Sequence, residues 1–139
     1  MADVWSVFDY EVQMFNGLLA LCEGNIRNSF QWPIPNAITE SLLLHARILT
    51  CVLISRGRGD DIKLSILLPG FNVPEINTLA AVYGKDDDPK SICYTINKRL
   101  AHATTVRIGT EGHDYTRDVL TLRAFIDQIL GAVEKKRPR

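Results

Sequence analysis

Thr95, Lys98, Arg99 and His102 are the residues whose types and spacing suit chemistry. At about 100° per residue they gather on one flank of a helix. Histidine titrates near neutrality and suits a general base; a cation one turn away suits the stabilisation of a charged phosphate. Together, His102 as base and Arg99 as the phosphate-stabilising cation, with Lys98 beside them, have the parts needed to bind or cut a phosphodiester without a metal. The alternative is a solvated flank in which His102 bonds a carbonyl or a glutamate of a neighbouring helix.

The element that must carry them runs from Asp88 to Thr104. Asp88 before Pro89 predicts the helix start, with aspartate capping and proline at the first helical position. Ile92, Ile96, Leu100 and Ala103 then make one apolar face. Asn97 lies about 140° round the helix from His102, so joining the same site requires a local kink or a neighbouring subunit.

Other catalytic templates are missing. The chain has no P-loop, no dinucleotide-binding glycine pattern, no HExxH and no nucleophile elbow, and its histidines, His45, His102 and His113, fall on separate segments. Neither a cofactor nor a metal is therefore expected. Cys22, Cys51 and Cys93 sit among apolar residues without close spacing, which predicts reduced, buried thiols and a cytoplasmic location. Sixteen basic residues balance sixteen acidic ones, so any nucleic-acid contact rests on a local patch. No apolar run is long enough to cross a bilayer, and no membrane partner is expected.

Four long helical patterns predict an all-α, antiparallel four- to five-helix bundle, with a single domain over residues 1–134 and a frayed basic tail at 135–139. The first helix spans Val4 to Cys22 and ends at Gly24-Asn25, glycine being the usual left-handed terminator. Asn25 to Pro35 is a loop, and its Phe30, Trp32 and Ile34 are expected to pack over the bundle; the alternative is a partner or substrate surface. Asn36 to Ser55, capped by Asn36, is apolar round most of its circumference and should be central. On it, Ser41 is placed to satisfy His45, and Glu40 and Arg47 read as members of interhelical ion pairs. Ile62 to Ile66 is too short a run to stand as a strand and is expected to be irregular or a short helix. A short helix follows from Pro74 to Tyr83, and a last helix from Tyr115 to Val133. His113, in a glycine-flanked loop, is expected to be exposed.

"NAITESLLLHARIL" (Asn36 to Leu49) and "INKRLAHAT" (Ile96 to Thr104) resemble a group of small microbial helical proteins and, more distantly, the HEPN superfamily. The HEPN signature is an arginine, often a polar residue, a short spacer and a histidine on a late helix. Asn97 and His102 match the polar residue and the histidine; Ile96 stands where active members have arginine, with Lys98 or Arg99 as the substitute cation. The resemblance implies a homodimer that binds RNA or cuts it without metal, through His102, Arg99 and Asn97, with Lys98 and His45 contacting substrate. Ile96, zero net charge and the Phe30-Gln31-Trp32 loop favour the alternative, a non-catalytic helical dimer or protein-interaction module.

Overall fold

Helix α2 (Ile34–Leu53) is the axis of the molecule. Its Leu42, Leu43, Ala46, Leu49 and Leu53 are all fully buried, because apolar residues occupy most of its circumference. Burying each leucine stabilises the fold by about 1.5–3 kcal/mol relative to leaving it exposed. The computed structural model describes residues 3–101 and 113–138 and is all-helical among them. Around α2 lie α1 (Val4–Glu23), α4 (Pro74–Tyr83), α5 (Ile92–Ala101) and α6 (Tyr115–Lys136), each in contact with it. A 3-10 turn (Ile26–Ser29) and the short α3 (Leu64–Leu67) complete the described elements.

Side-chain pairs fix the directions. Glu11 meets His45 while Arg27, just beyond α1, meets Thr39, so α1 and α2 are antiparallel. Asn97 meets Arg47 and Arg99 meets Glu40, so α5 also opposes α2. Asp9 meets Arg137 and Glu23 meets Arg123, so α6 opposes α1. The four helices α1, α2, α5 and α6 thus alternate in direction.

Several helix ends differ from the sequence expectation. α5 starts at Ile92, not Pro89. Asp88 Oδ1 accepts from the Lys90 amide in a preceding turn (3.0 Å), and Ser91 caps the helix by accepting from the Tyr94 amide at 3.0 Å while its hydroxyl donates back to the Lys85 and Asp88 carbonyls. This close return requires Gly84: its φ is +78°, and a Cβ there would stand 2.5 Å from Ser91 Cβ. α2 starts at Ile34 rather than after Asn36, since Pro35 in the first turn forfeits no hydrogen bond. After α1 the left-handed residue is Asn25 (φ 58°), not Gly24 (φ −76°). α6 continues through Lys136, and Arg137 is clamped by Asp9 at 2.6 and 2.8 Å, so the tail expected to fray is helical and anchored up to that point.

The loop before α2 corrects another expectation. Phe30, Trp32 and Ile34 are exposed, Trp32 by 79%. Arg27, half-buried beside them, holds the 3-10 turn to α2 by donating to Thr39 Oγ1 at 2.8 Å. The short helices α3 and α4 form as expected. His102 and the β-favouring stretch after it lie outside the described residues.

Candidate functional site

The side chains singled out on α5 face different neighbours. Asn97 Oδ1 accepts from Arg47 Nη1 at 3.1 Å, and its Nδ2 donates to Asp86 Oδ1 at 2.9 Å. Arg99 lies 3.5 Å from Glu40 and over the Tyr115 ring, 5.5 Å from its centre. Lys98 Nζ sits 5.2 Å from the Tyr94 ring centre. Asn97 and Arg99 are therefore held apart by different partners, and His102 lies outside the described residues. The ion-pair reading holds for Glu40, through Arg99, but Arg47 bonds an amide. His45 is buried, and its partner is Glu11, with Nδ1 2.6 Å from Oε2, rather than Ser41. The two reach each other because α1 crosses α2 there, with Tyr10 edge-on to the imidazole. His113 is exposed as expected, but lies 2.6 Å from Asp118.

One concavity among the described residues lies on the Arg47 side of α2. A cleft of about 450 Å³ opens between α1, α2 and the segment after α2. Val7, Phe8, Ile48, Val52 and Ile62 make its walls apolar; Glu11, Arg47, Arg56, Arg58 and Asp61 supply its polar groups. A second cavity of about 340 Å³ shares Arg47, Cys51 and Arg56 with the first and is completed by Tyr83, Lys85, Asp86, Cys93 and Asn97. Volumes of this order are usual for small-ligand sites.

Local bonding sets this geometry. Ser55 adopts a left-handed backbone (φ 55°) and its hydroxyl accepts from the Ser65 amide at 2.9 Å, turning the chain back over α2. Asp61 Oδ2 accepts from the Arg58 amide at 2.8 Å and closes the following turn. Arg56 Nη1 donates to the Gly84 carbonyl at 2.7 Å, and the guanidinium lies 5.6 Å from the Tyr83 ring centre.

The electrostatics are uneven. Arg99, Arg123 and Arg137 each face carboxylates. Arg47 and Arg56, both half-buried, have only the neutral oxygens of Asn97 and Gly84, with no carboxylate within 4.0 Å among the described residues. The nearby acids are bonded elsewhere: Glu11 to His45, Asp61 to a backbone amide, Asp86 to Asn97. Burial pushes the Cys51 thiol up against the pull of Arg56, so it lines the wall protonated. Two guanidinium groups with neutral partners, beside apolar walls, suit an anion carrying an apolar body.

Among the described residues, no group of three or more histidine, cysteine or acidic side chains is placed to hold a metal ion, and no helix is long and apolar enough to cross a membrane. Sequence reasoning missed Glu11, Arg56, Arg58 and Tyr83. The signal available was the Arg56-Gly57-Arg58-Gly59 alternation, which reads as a flexible connection until its turn is seen to close over α2. Comparison with protein-family models, curated proteins and solved structures gives no match for this chain.

Proposed function

We propose that the protein binds a small phosphate-bearing ligand with an apolar substituent in the cleft between α1, α2 and the segment after α2. The observation that carries this reading is the pair Arg47 and Arg56, half-buried on one cleft without a carboxylate partner among the described residues. A guanidinium fork matches phosphate geometry, and its attraction strengthens where the site is partly shielded from water. Val7, Phe8, Ile48 and Val52 would receive the apolar part.

RNA cleavage by a HEPN-like homodimer, the activity implied by the sequence resemblance, receives less support, because Arg99 is engaged by Glu40 and Tyr115. The experiment is a calorimetric titration of the full chain with phenyl phosphate at low salt, with phenol as control, repeated on Arg47→Gln/Arg56→Gln. Binding of phenyl phosphate alone, lost in the double variant, supports the cleft reading; no binding at millimolar ligand removes it. A parallel incubation with mixed RNA, with and without His102→Ala, tests cleavage. RNA degraded only by the unaltered protein would move the function to the α5 flank.

A second reading, a helical protein-interaction module, is favoured by the exposure of Trp32 with Phe30 and Ile34 beside it in the chain. Solution mass and co-purification of a protein partner test it.

A further inference from the structure

One carboxylate of the larger cleft is held in place with an oxygen to spare. Glu11 lines the cleft, and its Oε2 is fixed by His45 Nδ1 at 2.6 Å. Its Oε1 has no partner among the described residues, and it is not closed off from solvent as the Thr50 and Tyr83 hydroxyls are. A half-buried carboxylate oxygen beside apolar walls calls for a donor, and a cationic donor gives the stronger bond. Because His45 already orders the side chain, a ligand meets Glu11 at little further entropic cost. His45, Ile48 and Val52 stand at i, i+3 and i+7, on one face of α2, so the apolar wall continues along the helix from the level of Glu11. The guanidinium groups border the same cleft from elsewhere. Arg47 is turned to Asn97 on α5, and Arg56, beyond the end of α2, to Gly84 after α4; neither pairs with Glu11.

We propose that Glu11 recognises an amine in this cleft, so that the ligand is a zwitterion: a phosphate monoester whose apolar body carries a primary amine. The amine donates to Glu11 Oε1, the body lies along Ile48 and Val52, and the phosphate faces Arg47 and Arg56. The inference rests on the anion-binding reading of the cleft and deepens it by assigning the other end of the ligand. The mixed lining favours it. Three arginines share the cleft with two acids, and a second anionic group on the ligand would meet Glu11 as a like charge. Asp61, the other acid, is exposed, and its Oδ2 already accepts from the Arg58 amide at 2.8 Å. Glu11 is therefore the better shielded of the two, and its attraction for a cation is the less weakened by water.

The test is a calorimetric titration of the full chain at low salt with tyramine phosphate and with 4-propylphenyl phosphate, the same body with a methyl group in place of the ammonium. The unaltered protein should bind tyramine phosphate about tenfold more tightly, the usual scale for a hydrogen bond between charged groups. Tyramine, which lacks the phosphate, should bind more weakly than tyramine phosphate by about tenfold or more. In Glu11→Gln the preference for the amine should fall to about twofold or less, because the amide carries no charge to attract it. In Asp61→Asn the preference should persist. Equal affinity of the unaltered protein for the two phosphates overturns the amine assignment and leaves the anion cleft standing, whether or not the variants fold. A preference that survives Glu11→Gln, or is lost only in Asp61→Asn, overturns the choice of Glu11. If neither phosphate binds, the cleft reading fails and the amine assignment with it.

Discussion

Arg47 on α2 donates to Asn97 Oδ1 on α5 at 3.1 Å, and the same amide passes a hydrogen bond on to Asp86 at 2.9 Å. The amide thus separates a guanidinium from the nearest acid of its cavity. It aims the cation without neutralising it. Replacing Asn97 with leucine should lower stability by about 1 kcal/mol, the scale of a lost hydrogen bond to a charged group that is only half-buried. Urea unfolding checks the loss, and the same variant should bind phenyl phosphate more weakly because Arg47 is no longer held.

The buried Glu11–His45 contact ties α1 to α2, with the two side chains 13% and 10% exposed. Removing one partner strands a polar group among apolar neighbours. Glu11→Ala or His45→Ala should each cost about 2 kcal/mol. Both changes together should cost less than the sum, with a coupling above about 1 kcal/mol in a double-mutant cycle. Additive losses would mean that the contact contributes little.

Much of the fold was legible, because helical periodicity is a local signal. The stripe Val119, Leu122, Ile126, Ile129 and Val133 is fully buried on α6, as spacing alone indicates, and Phe15 and Leu19 do the same on α1. The candidate site was not legible in the same way. Glu11 and His45 are 34 positions apart, and Arg47 and Asn97 are 50 apart, so their pairing depends on where helices cross. Local rules also competed: Asp88-Pro89 is a valid helix opening, but Ser91 serves as acceptor and donor at once and takes the cap. The His102 expectation lies outside the described residues.

Arg137 predicts an acid limb in stability. Its two hydrogen bonds to Asp9 hold that carboxyl below the ordinary aspartate value of 3.8, and the guanidinium also lies 4.5 Å from the Trp5 ring centre. A lowered folded-state value contributes stability that is present above 3.8 and lost as pH falls through the folded value. Thermal midpoints measured from pH 6 to pH 2 should fall more steeply for the unaltered protein than for Arg137→Ala. Parallel curves would exclude this contribution.

Trp32, at 79% exposure, should be quenched by acrylamide far more readily than Trp5, which is partly covered by Arg137. Single-tryptophan variants, Trp5→Phe and Trp32→Phe, separate the two signals. Trp32→Ser should change stability by no more than about 0.5 kcal/mol, as expected for a surface position. A larger loss would show that the loop packs on the bundle after all.

The most direct measurement follows the arginine side-chain Nε–Hε signals in nitrogen-15 correlation spectra while phenyl phosphate is added to the full chain. The signals of Arg47 and Arg56 should shift together and saturate at one ligand concentration, while Arg123, already paired with Glu23 and Asp127, should stay in place. Signals of Arg47 and Arg56 that move no further than that of Arg123 would contradict an anion site in this cleft.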